Sequence, residues 1–408
     1  VSRGRLAAAA TLIFVALNLR MAIAAVPPVL TQIQRDTGLG SAGSGLLTAV
    51  PLFCFGAVAP SAPALVRRLR MGPLLGLTLA VVAVGCAIRL APSMAALFLG
   101  TAVIGAGIAV ANVLLPSLIK RDFAEEAPLM IALYAVSLFI GAAIPAGLTV
   151  PIEHATGIGW RPAVALWGIV AVVALVLWLP RARRHEPPAP PAAAGSPGRD
   201  LWRDRRAWAV TLFMGLQSLG YYATLSWLPT ILESHGMSDS KAGWMLSYAM
   251  FPGMAASLLT PALQRRIGRE DVCVGLAVLL CGIGYLGLIV GGASGAYVWV
   301  TSLGIGQGIA ITLALSYIVA RARDHHVAHL STMAQSVGYL IASTGPFVIG
   351  ALHGITSSWT PPLLVLIATL VPLGLAGLVA GRDGHVLSAA EFAETAHSAA
   401  KCELTDAR

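Results

Sequence analysis

The chain has 408 residues, of which 57% are hydrophobic and only 11% charged, against about 25% charged in an ordinary soluble domain. Its 27 basic and 18 acidic residues are too few to cover a water-soluble fold of this length. The same apolar excess excludes a disordered chain, and 43 Gly without a triplet period exclude a collagen-like one.

Hydrophobic runs of about 20 residues, enough to cross a bilayer, follow one another along the whole chain. In the first half they are predicted near 6–33, 43–66, 72–92, 94–119, 127–152 and 161–180. In the second half they are predicted near 207–232, 242–264, 271–291, 296–320, 327–352 and 360–381. The fold class expected is an all-α integral membrane protein of about twelve transmembrane helices. The first run is too long, and wrongly flanked, for a cleaved signal peptide. Segment 181–205 is polar and rich in Pro and Arg, so it reads as a linker between an N-terminal half, 1–180, and a C-terminal half, 206–381. Residues 382–408 form a polar tail. Four of the five cysteines (Cys54, Cys86, Cys273, Cys281) lie inside apolar runs and Cys402 in the tail, with no metal-ligand spacing. They read as small buried hydrophobes.

Basic residues alternate between the two sides. One set of connections holds Arg3, Arg5, Arg67, Arg68, Arg70, Lys120, Arg121, the central linker, Arg265, Arg266, Arg269, Arg321 and Arg323. The opposite set is read as carrying only Arg35, Arg161 and Lys241. Both termini and the linker are therefore expected to be cytoplasmic, in a bacterial-type inner membrane. The net charge of +9 is a topology signal dispersed over short loops, and no nucleic-acid partner is expected.

The two halves match at an offset of 201. Pro28, Pro51, Pro60 and Pro145 fall opposite Pro229, Pro252, Pro261 and Pro346, and Gly105-Ala106-Gly107-Ile108-Ala109 falls opposite Gly306-Gln307-Gly308-Ile309-Ala310. By composition, a proline meets another at a fixed offset about one time in sixteen. Equivalent helices run in the same direction, a parallel repeat in which the substrate site lies near the midplane between the halves.

Arg20 is the most informative residue, because it sits near the middle of the first span and costs about 2.5–3.5 kcal/mol to insert there. No Asp or Glu stands at its depth: the nearest, Asp122, Glu153 and Glu233, are at span ends. Two readings follow. Arg20 is bonded to backbone or amide oxygens and is structural, or its counter-ion is the transported solute. The second is preferred, since a guanidinium presents a planar fork of donors to an oxyanion.

Other polar residues at membrane depth are Asn18, Asn112, Gln217, Tyr221, Tyr222, Gln307, Gln335 and Tyr339. Asn18 faces away from Arg20 and reads as an interhelical hydrogen-bonding residue. Gln335 and Tyr339 share one helical face. For each of these, lining of a solute cavity and ordinary packing both stand. Pro28 and Pro229 are candidate outer hinges, with simple bends the alternative. Trp160, Trp227 and Trp359 lie at span ends, where an interfacial belt is expected. Enzymatic motifs are missing: there is no GxSxG, HExxH or Walker-type loop, and no cofactor is expected.

Three segments stand out together: Asn18-Leu19-Arg20-Met21-Ala22-Ile23 followed by Pro28; Gly215-Leu216-Gln217-Ser218 with Tyr222 and Trp227-Leu228-Pro229-Thr230-Ile231-Leu232; and Ala334-Gln335-Ser336-Val337-Gly338-Tyr339 with Gly345-Pro346. They resemble the cyanate/2-nitroimidazole transporter (CynX/NimT-like) branch of the major facilitator superfamily. Met21 and Pro27 stand where the branch has Pro and Gly, and Arg67-Arg68-Leu69-Arg70 keeps the charge of the superfamily loop motif without its Asp. The resemblance implies a monomeric secondary transporter of a small anionic or polar solute, with Arg20 as anion anchor and Gln217, Tyr222, Gln307, Gln335 and Tyr339 completing the lining. Proton coupling is compatible with it. The alternative is a multidrug exporter of lipophilic cations, which would use a membrane-embedded acid.

Overall fold

The computed structural model describes residues 3–182, 201–321 and 327–382. All regular structure among them is helical. In the first half run α1 (Arg3–Ala24), α2 (Ser41–Val58), α3 (Met71–Ile88), α4 (Met94–Asp122), α5 (Ala127–Thr156) and α6 (Trp167–Ala182). In the second run α7 (Arg205–Ser234), α8 (Asp239–Ile267), α9 (Glu270–Gly291), α10 (Ala296–Ala320), α11 (Val327–Thr356) and α12 (Thr360–Ala380). Most of the expected 181–205 linker and of the 382–408 tail falls outside the described residues.

Among the described residues, ten stretches are long and apolar enough to cross a membrane. One of them, Glu270–Ala320, contains both α9 and α10. The polar helix α7 is not among the ten, because Gln217, Ser218, Tyr221, Tyr222 and Thr224 dilute its hydropathy. Many large apolar side chains face outward, among them Leu99, Val176, Leu259, Val290 and Val371. In water such a surface would associate; against lipid it is the expected solvent contact.

Helix packing repeats between the halves. The pairs α1–α5, α2–α4, α3–α4, α3–α6 and α1–α6 correspond to α7–α11, α8–α10, α9–α10, α9–α12 and α7–α12. Between the halves the dominant contacts are α2–α11 and α5–α8, which the same pseudo-symmetry interchanges. Glycine permits the close crossings. A Cβ on Gly105 would come within 2.8 Å of the Pro51 Cα, and one on Gly308 would overlap the Gly253 carbonyl. Gly308→Ala is therefore expected to lower stability by about 1–3 kcal/mol, read as a lower melting temperature of the detergent-solubilised protein.

The end of the bundle holding the start of α1 and the end of α12 is here called the terminal face, and the opposite end the far face. At the far face α1 stops at Ala24. Pro27 and Pro28 lack backbone donors, so a 3-10 turn, Pro27–Val29, forms before a short helix, Leu30–Thr37. The run expected near 6–33 lies in one apolar stretch, Arg5–Thr37, which is broken into these helical segments. By contrast, α7 continues through Pro229 to Ser234.

The tryptophans also differ from expectation. Trp160, Trp227 and Trp359 are 5%, 1% and 6% exposed, so they are not a lipid-facing belt. Trp227 Nε1 donates to the Pro346 carbonyl at 2.8 Å, Trp160 Nε1 donates to Asp36 at 2.7 Å, and Trp359 stacks on His353. Each indole finds its partner inside the protein, which removes the reason to sit at the headgroups.

Candidate functional site

The central site forms where α1, α2, α5, α7 and α11 approach the pseudo-two-fold axis. Arg20, one turn before the end of α1, is bracketed by rings from both halves. Its guanidinium lies 5.6 Å from the Phe55 ring of α2 and 5.7 Å from the Tyr222 ring of α7. Cation–π contact at this range contributes about 0.5–2 kcal/mol and satisfies charge but not hydrogen-bonding directions. Arg20 makes no hydrogen bond or ion pair among the described residues, and its Nη1 is buried without a partner. Its electrostatic neighbours are the phenols of Tyr222, Tyr339, Tyr221 and Tyr134.

Aromatic contacts tie this cluster together. Tyr339 of α11 meets Phe55 edge-on with centroids 5.3 Å apart and Tyr222 at 6.4 Å. Tyr221 and Tyr222, neighbours on α7, are 5.0 Å apart. The Tyr221 hydroxyl is directed to Met250 Sδ on α8 at 3.6 Å. Sequence reading therefore finds Arg20, Tyr221, Tyr222 and Tyr339, which the fold assembles. It misses Phe55 and Tyr134, since an aromatic inside an apolar run carries no local signal of facing a cavity.

The amides are placed differently. Asn112 on α4 has both Nδ2 and Oδ1 buried without partners, an amide held ready with neither half satisfied. Gln217 is bonded within its own helix, to Met214 O at 3.1 Å and Ser218 Oγ at 2.6 Å. Gln307 donates to Thr224 at 3.0 Å, and Thr224 in turn meets Tyr285 at 3.1 Å, so Gln307 belongs to a knot joining α10, α7 and α9. Gln335 donates to Ser331 on its own helix at 3.0 Å. Asn18 bonds to Phe14 O one turn back, where an interhelical bond was expected. No described contact brings Gln217, Gln307 or Gln335 to Arg20.

Arg20 is not the only cation inside the bundle. Arg89, within the hydrophobic run at 72–92, is 1% exposed and bonds to Thr101 and to the Ala22 carbonyl. A basic residue in an apolar run was the available signal, and a count of loop charges alone passes over it. The buried Arg321, by contrast, is paired with Glu270 at 2.7 Å.

The gating candidates sit at the far face. Pro28 lies in the turn after α1, against the close approach of Gly243 on α8 to the Ala146 carbonyl on α5. On the other side of the axis, Gly45 of α2 abuts the Pro346 carbonyl of α11, and Gly350 of α11 abuts the Ser41 carbonyl and the Trp227 ring. Nearby, a cavity of about 480 Å³ is lined by Thr31, Arg35, Thr230, Glu233, His353 and Trp359, among others. Thr31 donates to Glu233 there, joining the two halves, and His154 of α5 pairs with Asp239 of α8 at 3.3 Å. The far face is closed by these contacts.

Comparison with known proteins agrees with this architecture. The family model described as Major Facilitator Superfamily matches residues 11–346. The chain is 41% identical to "Uncharacterized transporter YycB" of Bacillus subtilis, over 92% of this chain and 93% of the relative. It is 36% identical to the 2-nitroimidazole transporter of Escherichia coli, over 94% and 98%. Identity to the cyanate transport protein CynX of Escherichia coli is 29%, over 85% and 90%. Among solved structures, the nucleoside transporter NupG superposes with a TM-score of 0.74 at 12% identity, covering 92% of this chain and all of NupG, a likeness of fold. The chain is thus a multi-pass membrane transporter that belongs to the major facilitator superfamily, in its cyanate/2-nitroimidazole (CynX/NimT-like) branch.

Proposed function

We propose that the solute is a small anion, or an electron-rich polar molecule such as a nitroimidazole, held by Arg20 between the halves. The observation carrying this reading is the half-buried Arg20, whose guanidinium makes no hydrogen bond among the described residues, keeps Nη1 buried without a partner, and is bracketed by rings from α2 and α7. That unsatisfied nitrogen is a cost in the solute-free protein, and an anion bound there supplies charge-assisted hydrogen bonds. Asn112, with both amide groups unsatisfied, is the second polar contact. Tyr221, Tyr222 and Tyr339 form the aromatic wall, while Gln217, Gln307 and Gln335 complete the lining once the halves move.

In this reading the halves 1–180 and 206–381 rock about the site, joined by the 181–205 linker. Pro28 and Pro229 lie where the far face opens. The bias of basic residues puts the terminal face in the cytoplasm of a bacterial-type inner membrane, with the far face outside. A monomer suffices, because one chain supplies both halves. Uptake of an anion against an inside-negative potential costs about 2.3 kcal/mol per charge per 100 mV. A co-transported proton offsets that charge, and Glu233, lining the far-face cavity with one buried unpartnered oxygen, is placed to take it. The multidrug alternative lacks support: no described carboxylate stands at the depth of Arg20.

The test is a thermal-shift series on purified protein with sodium cyanate, nitrite, 4-hydroxybenzoate and 2-nitroimidazole, followed by flux of any stabilising solute into proteoliposomes. At least one anion or azole should raise the melting temperature by several degrees and be carried saturably. Stabilisation by lipophilic cations alone would favour the exporter.

A further inference from the structure

Arg89 follows the last residue of α3 at the far-face end, yet it is almost wholly buried. Its side chain reaches two other helices. Nε donates to Thr101 Oγ1 of α4 at 3.1 Å, and Nη1 donates to the Ala22 carbonyl of α1 at 2.8 Å. That carbonyl is available for a local reason. Val26 N donates to Ile23 O rather than to Ala22 O, and the prolines beyond supply no donors. A positive charge also suits the C-terminal end of α1. Capping α1 accounts for Nη1, and the bond to Thr101 of α4 accounts for Nε.

The third is unexplained by capping. Nη2 is buried and has no partner. Arg89 lines a cavity of about 10 Å³ together with Thr48 and Pro51 of α2, Thr101 of α4, and Tyr222 and Ser226 of α7. That volume holds about one water. Its walls come from both halves, so it must widen when they part at the far face. Tyr222 contributes to this chamber and also lies against Arg20, which places the chamber next to the central site on its far-face side.

We propose that Arg89 is a second anion subsite, where a small monovalent anion docks on the far-face side before passing Tyr222 to Arg20. The inference rests on the anion reading of Arg20. Two guanidinium groups, each with one buried nitrogen lacking a partner and neither paired with a described carboxylate, lie on either side of Tyr222 between the halves. A cap alone needs no unpartnered nitrogen and no chamber shared between the halves.

The experiment uses Ser226→Cys in the full-length chain, corrected for the native cysteines. Intact cells are treated with an anionic sulfonatoethyl or a cationic trimethylammonioethyl methanethiosulfonate, with no solute added. The anionic reagent should react faster relative to the cationic one than it does with free cysteine. Arg89→Gln should reduce that preference about tenfold, and Arg89→Lys should retain most of it. Because Arg89→Gln also removes the cap on α1, a second measurement leaves Arg89 intact: sodium thiocyanate, compared with sodium gluconate, should slow anionic labelling of the introduced thiol. An unchanged reagent preference in a folded Arg89→Gln variant overturns the proposal. So does labelling indifferent to thiocyanate, or an introduced thiol that neither reagent reaches. Failure of the Arg20 reading shows separately, as normal solute flux in Arg20→Ala, because the labelling needs no transported solute.

Discussion

Arg20→Ala should abolish saturable transport while leaving the protein folded and inserted. Losing a charge-assisted contact to a desolvated anion costs about 2–5 kcal/mol, which is roughly thirtyfold to more than a thousandfold in affinity. Arg20→Lys should restore only part of it, because a compact ammonium lacks the planar fork and reaches less far between the rings of Phe55 and Tyr222. The stability readout has the opposite sign. A buried guanidinium nitrogen without a hydrogen-bond partner, as Arg20 Nη1 is, is a liability in the solute-free state. Arg20→Met, which keeps much of the apolar stem, should therefore melt no lower than the parent, and should lose the stabilisation that solute gives the parent. Proteoliposome flux and melting curves on the same preparations check both halves of the prediction. Normal flux in Arg20→Ala would remove this residue from the mechanism, and a large drop in melting temperature would mark it as structural.

The second large effect concerns closure of the far face. Gly45 of α2 lies so near α11 that an added Cβ would overlap the Pro346 carbonyl, and Gly350 of α11 is equally tight against Ser41 and Trp227. Neither obstacle is a flexible side-chain tip; the blocking atoms include backbone carbonyls. Gly45→Val should force the halves apart at this end. Overpacking costs about 1–3 kcal/mol, and in a protein that alternates between two states this cost falls on the closed one alone. The far-face-open population should rise by roughly five- to hundredfold relative to the closed one. Transport should fall, because the closed state is less populated, while labelling of Ser226→Cys from the far face should increase. Equal labelling in the two backgrounds would show that this crossing does not separate during transport.

Arg89 sharpens the electrostatic picture. With Arg20 as the one buried cation, the charge imbalance is local to the centre of the chain's first span. With Arg89 added, the imbalance extends toward the far face, giving an anion a sequence of positions rather than one. Arg321, buried but neutralised by Glu270 and bonded to the carbonyls of Ala380 and Gly381, is the contrasting case. It shows how this fold treats a buried guanidinium whose purpose is to hold helix ends together.

What the amino-acid sequence determined by itself was whatever depends on local composition and on order along the chain. Hydropathy over about 20 residues placed most spans within a few residues of their helices but not the helix breaks after Ala24 and Val58. The proline and glycine matches at one offset set out the parallel repeat that the helix pairings reproduce, and an Arg within the apolar run of α1 marked the candidate site. Tertiary structure alone decided which polar side chains meet. Gln217 and Gln307 have the same sequence signature as Asn112, yet the first turns into its own helix, the second joins Thr224, and only the amide of Asn112 is left unsatisfied. Phe55, Tyr134 and the burial of Trp227 were equally illegible. The physical reason is that a spanning helix needs only to be apolar on average to enter the bilayer, whereas facing the axis depends on helix rotation and crossing. Those are set by contacts such as Gly45 on Pro346, between residues hundreds of positions apart.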